Sequence, residues 1–220
     1  GKLQYQDFNF LDIEVFRNQE FLLKSNLIDD LGNPMFNQHI NLTFNGKKYH
    51  LITDADGLVQ QNITLPSNFK LGNYVAKWDY SGFEYYLPSN NQQNIRVLAS
   101  TNIVLFSDSE VIVGETFSFN GTLNDDMGNP LKATLSFSFG GSLIETIESN
   151  SNGYFENTYL VPNESIAGPN TIVITYVPDE FYLSSTSSWV LQVSHNIRIE
   201  LPDYLSCLLY TSDAADDIRR

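Results

Sequence analysis

The sequence is poor in the residues on which most protein chemistry depends. Its 220 residues include one cysteine, Cys207, and three histidines, His39, His50 and His195. A lone cysteine excludes a disulfide framework within the chain and a thiolate cluster for a metal. The histidines do not fall at metal-pair spacing, and no Ser or Cys nucleophile motif or Gly-rich phosphate loop is present. Basic residues are scarce, 12 against 26 acids, for a formal net charge of −14. That balance excludes the basic footprint that nucleic acid requires. No apolar run reaches the ~18 residues of a membrane-spanning helix, and no segment combines helical periodicity with caps over three turns. Nothing signal-like leads the chain, which begins at Gly1, so a fragment from inside a longer protein is expected. What remains is 42% apolar and only 17% charged, the composition of a chain that folds.

An internal repeat organises it. Asp29-Asp30-Leu31-Gly32-Asn33-Pro34 recurs 96 residues later as Asp125-Asp126-Met127-Gly128-Asn129-Pro130. The same offset carries Phe21 to Phe117, Gly57 to Gly153, Pro66 to Pro162, Tyr80 to Tyr176, Tyr86-Leu87 to Tyr182-Leu183 and Val97 to Val193. Only the middle slips by one residue. The expected organisation is the end of a preceding segment at 1–8, domains at 9–98 and 103–194 joined by a linker at 99–102, and the start of a third copy at 195–206. Cys207 to Asp217 resembles, in a single reading frame, the translation of a transposase-type sequencing adapter. Residues 207–220 are therefore expected to be adapter-derived.

Each copy reads as strands. His39 to Phe44 alternates apolar and polar with period two. Asn45-Gly46 then supplies the positive φ that a two-residue hairpin turn requires. Lys47 to Thr53 pairs back, which sets His50 opposite Asn41 and away from His39. Asp56-Gly57 turns the chain into Leu58 to Leu65, and Pro66 stops it. Copy two offers Gly140-Gly141 and Asn152-Gly153 at the same places. Tyr74, Ala76, Trp78 and Tyr80 form an inward face, with Ile172, Ile174 and Tyr176 as counterparts. About seven short strands in roughly 90 residues predict an all-β sandwich, twice over.

The Asp-Asp-x-Gly-Asn-Pro turn, Thr53 to Gly57, Gly72 to Tyr74 and the tyrosine-rich end together resemble prokaryotic immunoglobulin-like repeats of the invasin/intimin type and related surface modules. The resemblance implies two tandem immunoglobulin-like β-sandwich domains in an extracellular or cell-surface protein. Its implied role is a structural or adhesive spacer presenting a distal domain, not an enzyme. The implied partners are neighbouring repeats of the same chain and a surface protein or glycan. The rival readings are a carbohydrate- or protein-binding module and an accessory region of an extracellular hydrolase.

No catalytic, cofactor-binding or metal-ligating residue is assigned, and no cofactor is expected. Calcium-dependent versions of such repeats make the acids worth weighing: Asp54 with Asp56, Asp29 with Asp30, Asp125 with Asp126, Asp12 with Glu14 and Asp108 with Glu110. Asp54 and Asp56 become Asn150 and Asn152 in copy two, which keeps a turn and loses the charge. Tyr80, Phe83, Tyr85 and Tyr86 offer stacking faces for a sugar. Recurrence at Tyr176, Phe181 and Tyr182 favours packing instead, with Tyr86 and Tyr182 expected to be as buried as Tyr80 and Tyr176. Phe83, facing Asp179 in the alignment, is the best candidate for an exposed contact. Sequons begin at Asn41, Asn62, Asn120 and Asn163, no more than the Asn, Ser and Thr content generates by chance.

Overall fold

A computed structural model of the chain describes residues 13–178 and 180–200. Asp12, Asp179 and the segment 201–220, with its adapter-like run, lie outside the described residues. All regular structure among the described residues is β.

Seven strands build the first domain: β1 (Ile13–Phe16), β2 (Glu20–Asn26), β3 (His39–Phe44), β4 (Lys47–Ile52), β5 (Leu58–Thr64), β6 (Gly72–Tyr80) and β7 (Ser89–Leu98). They form a five-stranded sheet in the order β1-β7-β6-β3-β4, with β2 and β5 paired separately. The second domain contributes β8 (Thr101–Ser107), β9 (Glu110–Ile112), β10 (Thr116–Asp125), β11 (Thr134–Phe139), β12 (Ser142–Glu148), β13 (Tyr154–Leu160), β14 (Gly168–Tyr176) and β15 (Ser185–Ser194). Their sheets are β12-β11-β14-β15-β9 and β13-β10-β8. The topology repeats strand for strand, except that the counterpart of β8 would fall before residue 13.

Alternation places the core. On β6, Ala76, Trp78 and Tyr80 are buried while Val75, Lys77 and Asp79 face water. On β14, Ile172, Ile174 and Tyr176 are buried in the same way. Burying one face of each sheet removes apolar surface from water at roughly 25 cal/mol per Å². Apart from Leu98 and Ala99 between the domains, the buried apolar side chains fall into two clusters, one running from Val15 to Val97 and the other from Ile103 to Val193. Phe117, Phe119, Phe137, Phe139 and Tyr159 pack edge and tilt at the centre of the second, with centroid separations from 4.6 to 6.1 Å.

The turns follow their residues. Phe44 pairs with Lys47, and Asn45 and Gly46 take φ of 45° and 76°. Asn41 meets His50 across that hairpin, and their side chains hydrogen-bond at 2.5 Å. Asp54 Oδ1 accepts the amides of Asp56 and Leu58, and Asn150 Oδ1 accepts those of Asn152 and Tyr154. The acid-to-amide change therefore leaves this turn intact. Gly57 and Gly153, both at φ 71°, sit where a Cβ would lie 2.4 Å from the carbonyl oxygens of Leu27 and Leu123. These glycines let the backbone come close enough for the Leu27 and Leu123 amides to bond the Gly57 and Gly153 carbonyls at 2.8 Å.

Buried hydroxyls repeat as well. Thr53 donates to the Met35 carbonyl at 2.6 Å and accepts the Gln38 amide. Its counterpart Ser149 donates to the Leu131 carbonyl at 2.7 Å and accepts the Ala133 amide. Each ties the loop after Asn-Pro to the end of the neighbouring strand in the same sheet, β4 in the first domain and β12 in the second.

Candidate functional site

The most elaborate polar constellation lies where the first domain meets the second. It grows from the Asp-Asp-x-Gly-Asn-Pro turn. In the second copy, Asp125 Oδ1 accepts the Met127 and Asn129 amides, and Oδ2 accepts the Asn129 side chain at 3.0 Å. Gly128 closes the turn at φ 81°. Asp29 does the same with Leu31 and Asn33, and Gly32 takes φ 85°. The turn leads from one sheet of each sandwich to the other, closing with short bridges at Ile28–Pro34 and Asn124–Pro130.

Into the second of these turns reaches Arg17, from the end of β1 in the other domain. Its Nη2 donates to Asp125 Oδ2 at 2.7 Å, and the same nitrogen and Nε bond Asp126. The Arg17 and Asp125 side chains are almost fully buried, and that of Asp126 is partly covered. Burial pushes the Asp125 pKa up most strongly, but hydrogen bonds from Asn129 and Arg17 outweigh it and hold the carboxyl below its ordinary range. The Arg17 guanidinium, bonded to Asp126 and Asp125 against its own desolvation, is held above its already high value. A buried ion pair of this kind is costly to break, because the partner left behind stays desolvated.

Two further ties secure the junction. Ala99, fully buried, bonds the Phe181 carbonyl through its amide at 3.0 Å and accepts the Leu183 amide at 2.9 Å. Arg96 bridges Glu14 at 2.5 Å and donates to the Glu180 carbonyl at 2.6 Å. A cleft of about 400 Å³ runs alongside, between Asn18 and Ser67 on one domain and Met127 and Leu183 on the other.

The other candidates are placed as follows. Asp108 accepts the Ser118 amide at 2.7 Å and Glu110 stands exposed on β9. Among the described residues, no three His, Cys, Asp or Glu side chains gather as a metal site would require. His39 and His195 are exposed and far apart in the fold, and His195 bonds the Ser165 carbonyl. Tyr80 and Tyr176 are buried, and the Tyr80 hydroxyl bonds Gln38. Tyr86 departs from expectation: it is exposed, and Tyr182 is only half-buried. The cause is a tight hairpin in which Phe83 and Tyr86 exchange both backbone bonds, lifting Phe83, Tyr85 and Tyr86 off the core. Asn62, Asn120 and Asn163 are exposed, and Asn41 is partly covered.

No sequence-family profile matches the chain, and no curated protein matches it. Among solved structures it superposes on an ICAM-5 D1–D4 ectodomain fragment with a TM-score of 0.53 at 9% identity, over 84% of this chain and 52% of that one. The fold is immunoglobulin-like. The chain spans about half of that fragment. The mouse nectin-like molecule 4 ectodomain matches over 84% of this chain and 67% of its own at 13% identity, with a TM-score of 0.44. A tetra-tandem repeat from the extending region of a large adhesion protein matches at 0.36 and 12% identity, over 73% of this chain and 43% of its own. The last two scores are too low to add to the argument.

Sequence reasoning missed Arg17. The signal was available: Arg17 and Arg96 are the only arginines before residue 198, and the repeat replaces them by Val113 and Gln192. Both arginines reach across to the second domain, Arg17 to Asp125 and Arg96 to the Glu180 carbonyl.

Proposed function

We propose that the chain is a spacer segment of a cell-surface or secreted protein, in which tandem immunoglobulin-like repeats hold a distal domain away from its anchor. The observation that supports this reading most is the junction. A linker that left the domains independent would not need a buried guanidinium between two carboxylates. In this reading the repeats occupy 9–98 and 103–194, a third begins at 195–206, and 207–220 is adapter-derived and foreign to the gene. Without the three Asp and two Arg of 207–220 the net charge is −13, which suits an array that stays soluble and does not self-associate. Small-angle scattering tests the spacer role: the native chain gives one narrow distance distribution, and Arg17→Ala broadens it while circular dichroism shows both domains folded. An equally broad native distribution refutes the reading. Antibody labelling of intact parent cells tests the location, and sequencing of the parent locus tests the tail.

A second reading, a glycan- or protein-binding module, is favoured by the exposed hairpin carrying Phe83, Tyr85 and Tyr86, where Tyr85 is 96% exposed. Glycan-array binding that Tyr85→Ala abolishes would establish it.

A further inference from the structure

The first domain carries an exposed copy of the acid turn that the second domain uses at the junction. Asp29 and Asp30 repeat Asp125 and Asp126, in a turn with the same bonds and nearly the same glycine φ. Yet Asp30 is exposed and Asp29 only partly covered, where Asp125 is buried against Arg17. The difference extends to the apolar neighbours. Leu31 is 82% exposed and its counterpart Met127 46%; Leu87 is 84% exposed and its counterpart Leu183 37%. Tyr85 is bare where its counterpart Phe181 is half-buried. Between the acid turn and the Tyr85–Leu87 loop lies a depression of about 450 Å³. Five of the residues lining it (Asp29, Asp30, Tyr85, Tyr86, Leu87) are those whose counterparts meet Arg17 of the first domain or the linker residue Ala99 at the filled junction.

We infer that this depression is the receptor for one further immunoglobulin-like repeat on the N-terminal side, which inserts a guanidinium between Asp29 and Asp30. The occupant is specified by chemistry already seen in the molecule. The same turn one repeat later binds an arginine from the preceding domain, and two acids beside bare apolar side chains complement a cation on an apolar collar. A second copy of this chain does not fit, because its Arg17 is committed to its own Asp125 and Asp126. The filled junction also predicts the position: the cation stands 96 residues before Arg17. The inference rests on the spacer reading and adds to it which face is joined and by what.

The test begins with the parent gene. An immunoglobulin-like repeat with arginine 96 codons before Arg17 is expected. A repeat there with any other residue, or no repeat at all, overturns the inference and leaves the spacer reading intact, because that reading rests on the junction within this chain. The chain extended by that repeat is then compared with the 220-residue chain by calorimetry and small-angle scattering. Asp30→Asn is the informative variant, since Asp29 also organises the turn. It should lower the unfolding midpoint of the extended chain by a few degrees, widen its distance distribution and leave the shorter chain unchanged. Changing the upstream cation to glutamine should have the same effect, and the two changes together should do no more than either alone. Equal behaviour of native and Asp30→Asn extended chains overturns the inference. So does loss of glycan binding on Asp30→Asn in the extended chain, since the face would then remain open to a sugar.

Discussion

A glycine held at positive φ has no cheap substitute, and Gly32 shows this without interference from packing. At φ 85° it has nothing within 4 Å of where a Cβ would stand, so a side chain meets only backbone strain. Gly32→Val should therefore cost about 1–2 kcal/mol, measured by denaturant unfolding of the first domain. Thr53 makes the opposite case, in which the side chain is indispensable and the backbone ordinary. Thr53→Val keeps the shape, strands the Met35 carbonyl and the Gln38 amide, and should cost about 1–3 kcal/mol. Glycines and turn acids were legible in the sequence because their roles are local: Asp54 bonds residues two and four away. Arg17 was not, because its partners lie 108 and 109 residues on. That contact depends on how two folded bodies meet, which no periodicity encodes.

Strands were readable for a related reason. A half-buried strand announces itself by alternation, and β3, β6, β11 and β14 all do. What alternation does not announce is a three-residue element such as β9, too short to show a period, or the order in which strands pair. The Tyr86 departure is of the same kind. The repeat aligned Tyr86 with Tyr182, but a two-residue hairpin at residues 83–86 set its height above the core. The elements also divide the molecule energetically. Phe137 is fully buried among Phe119 and Tyr159. Phe137→Ala should cost the second domain about 3–5 kcal/mol. Chemical unfolding followed by Trp189 in that domain and Trp78 in the first should then separate into two transitions, with Trp189 moving alone.

At the scale of the whole molecule, the junction has a pH dependence of definite sign. Asp125 has a folded pKa below its ordinary value. It therefore stabilises the folded pair above the unfolded value, about 3.9, and that contribution is lost as pH falls through the folded value. The two domains should unfold as one coupled transition at neutral pH and as two only once pH has fallen through the folded value of Asp125, below the ordinary carboxylate range. Calorimetry from neutral pH into the acid range checks it; coupling that does not weaken anywhere on the descent would place the junction energy elsewhere. The pairing of an early strand with the last one has a different consequence. In each domain the short early strand runs parallel to the final one, β1 beside β7 and β9 beside β15. Tension applied along such an array pulls the two members of each pair in opposite directions along their own axes. Their hydrogen bonds are then loaded together in shear, and a domain under pull has to break them collectively before it can lengthen.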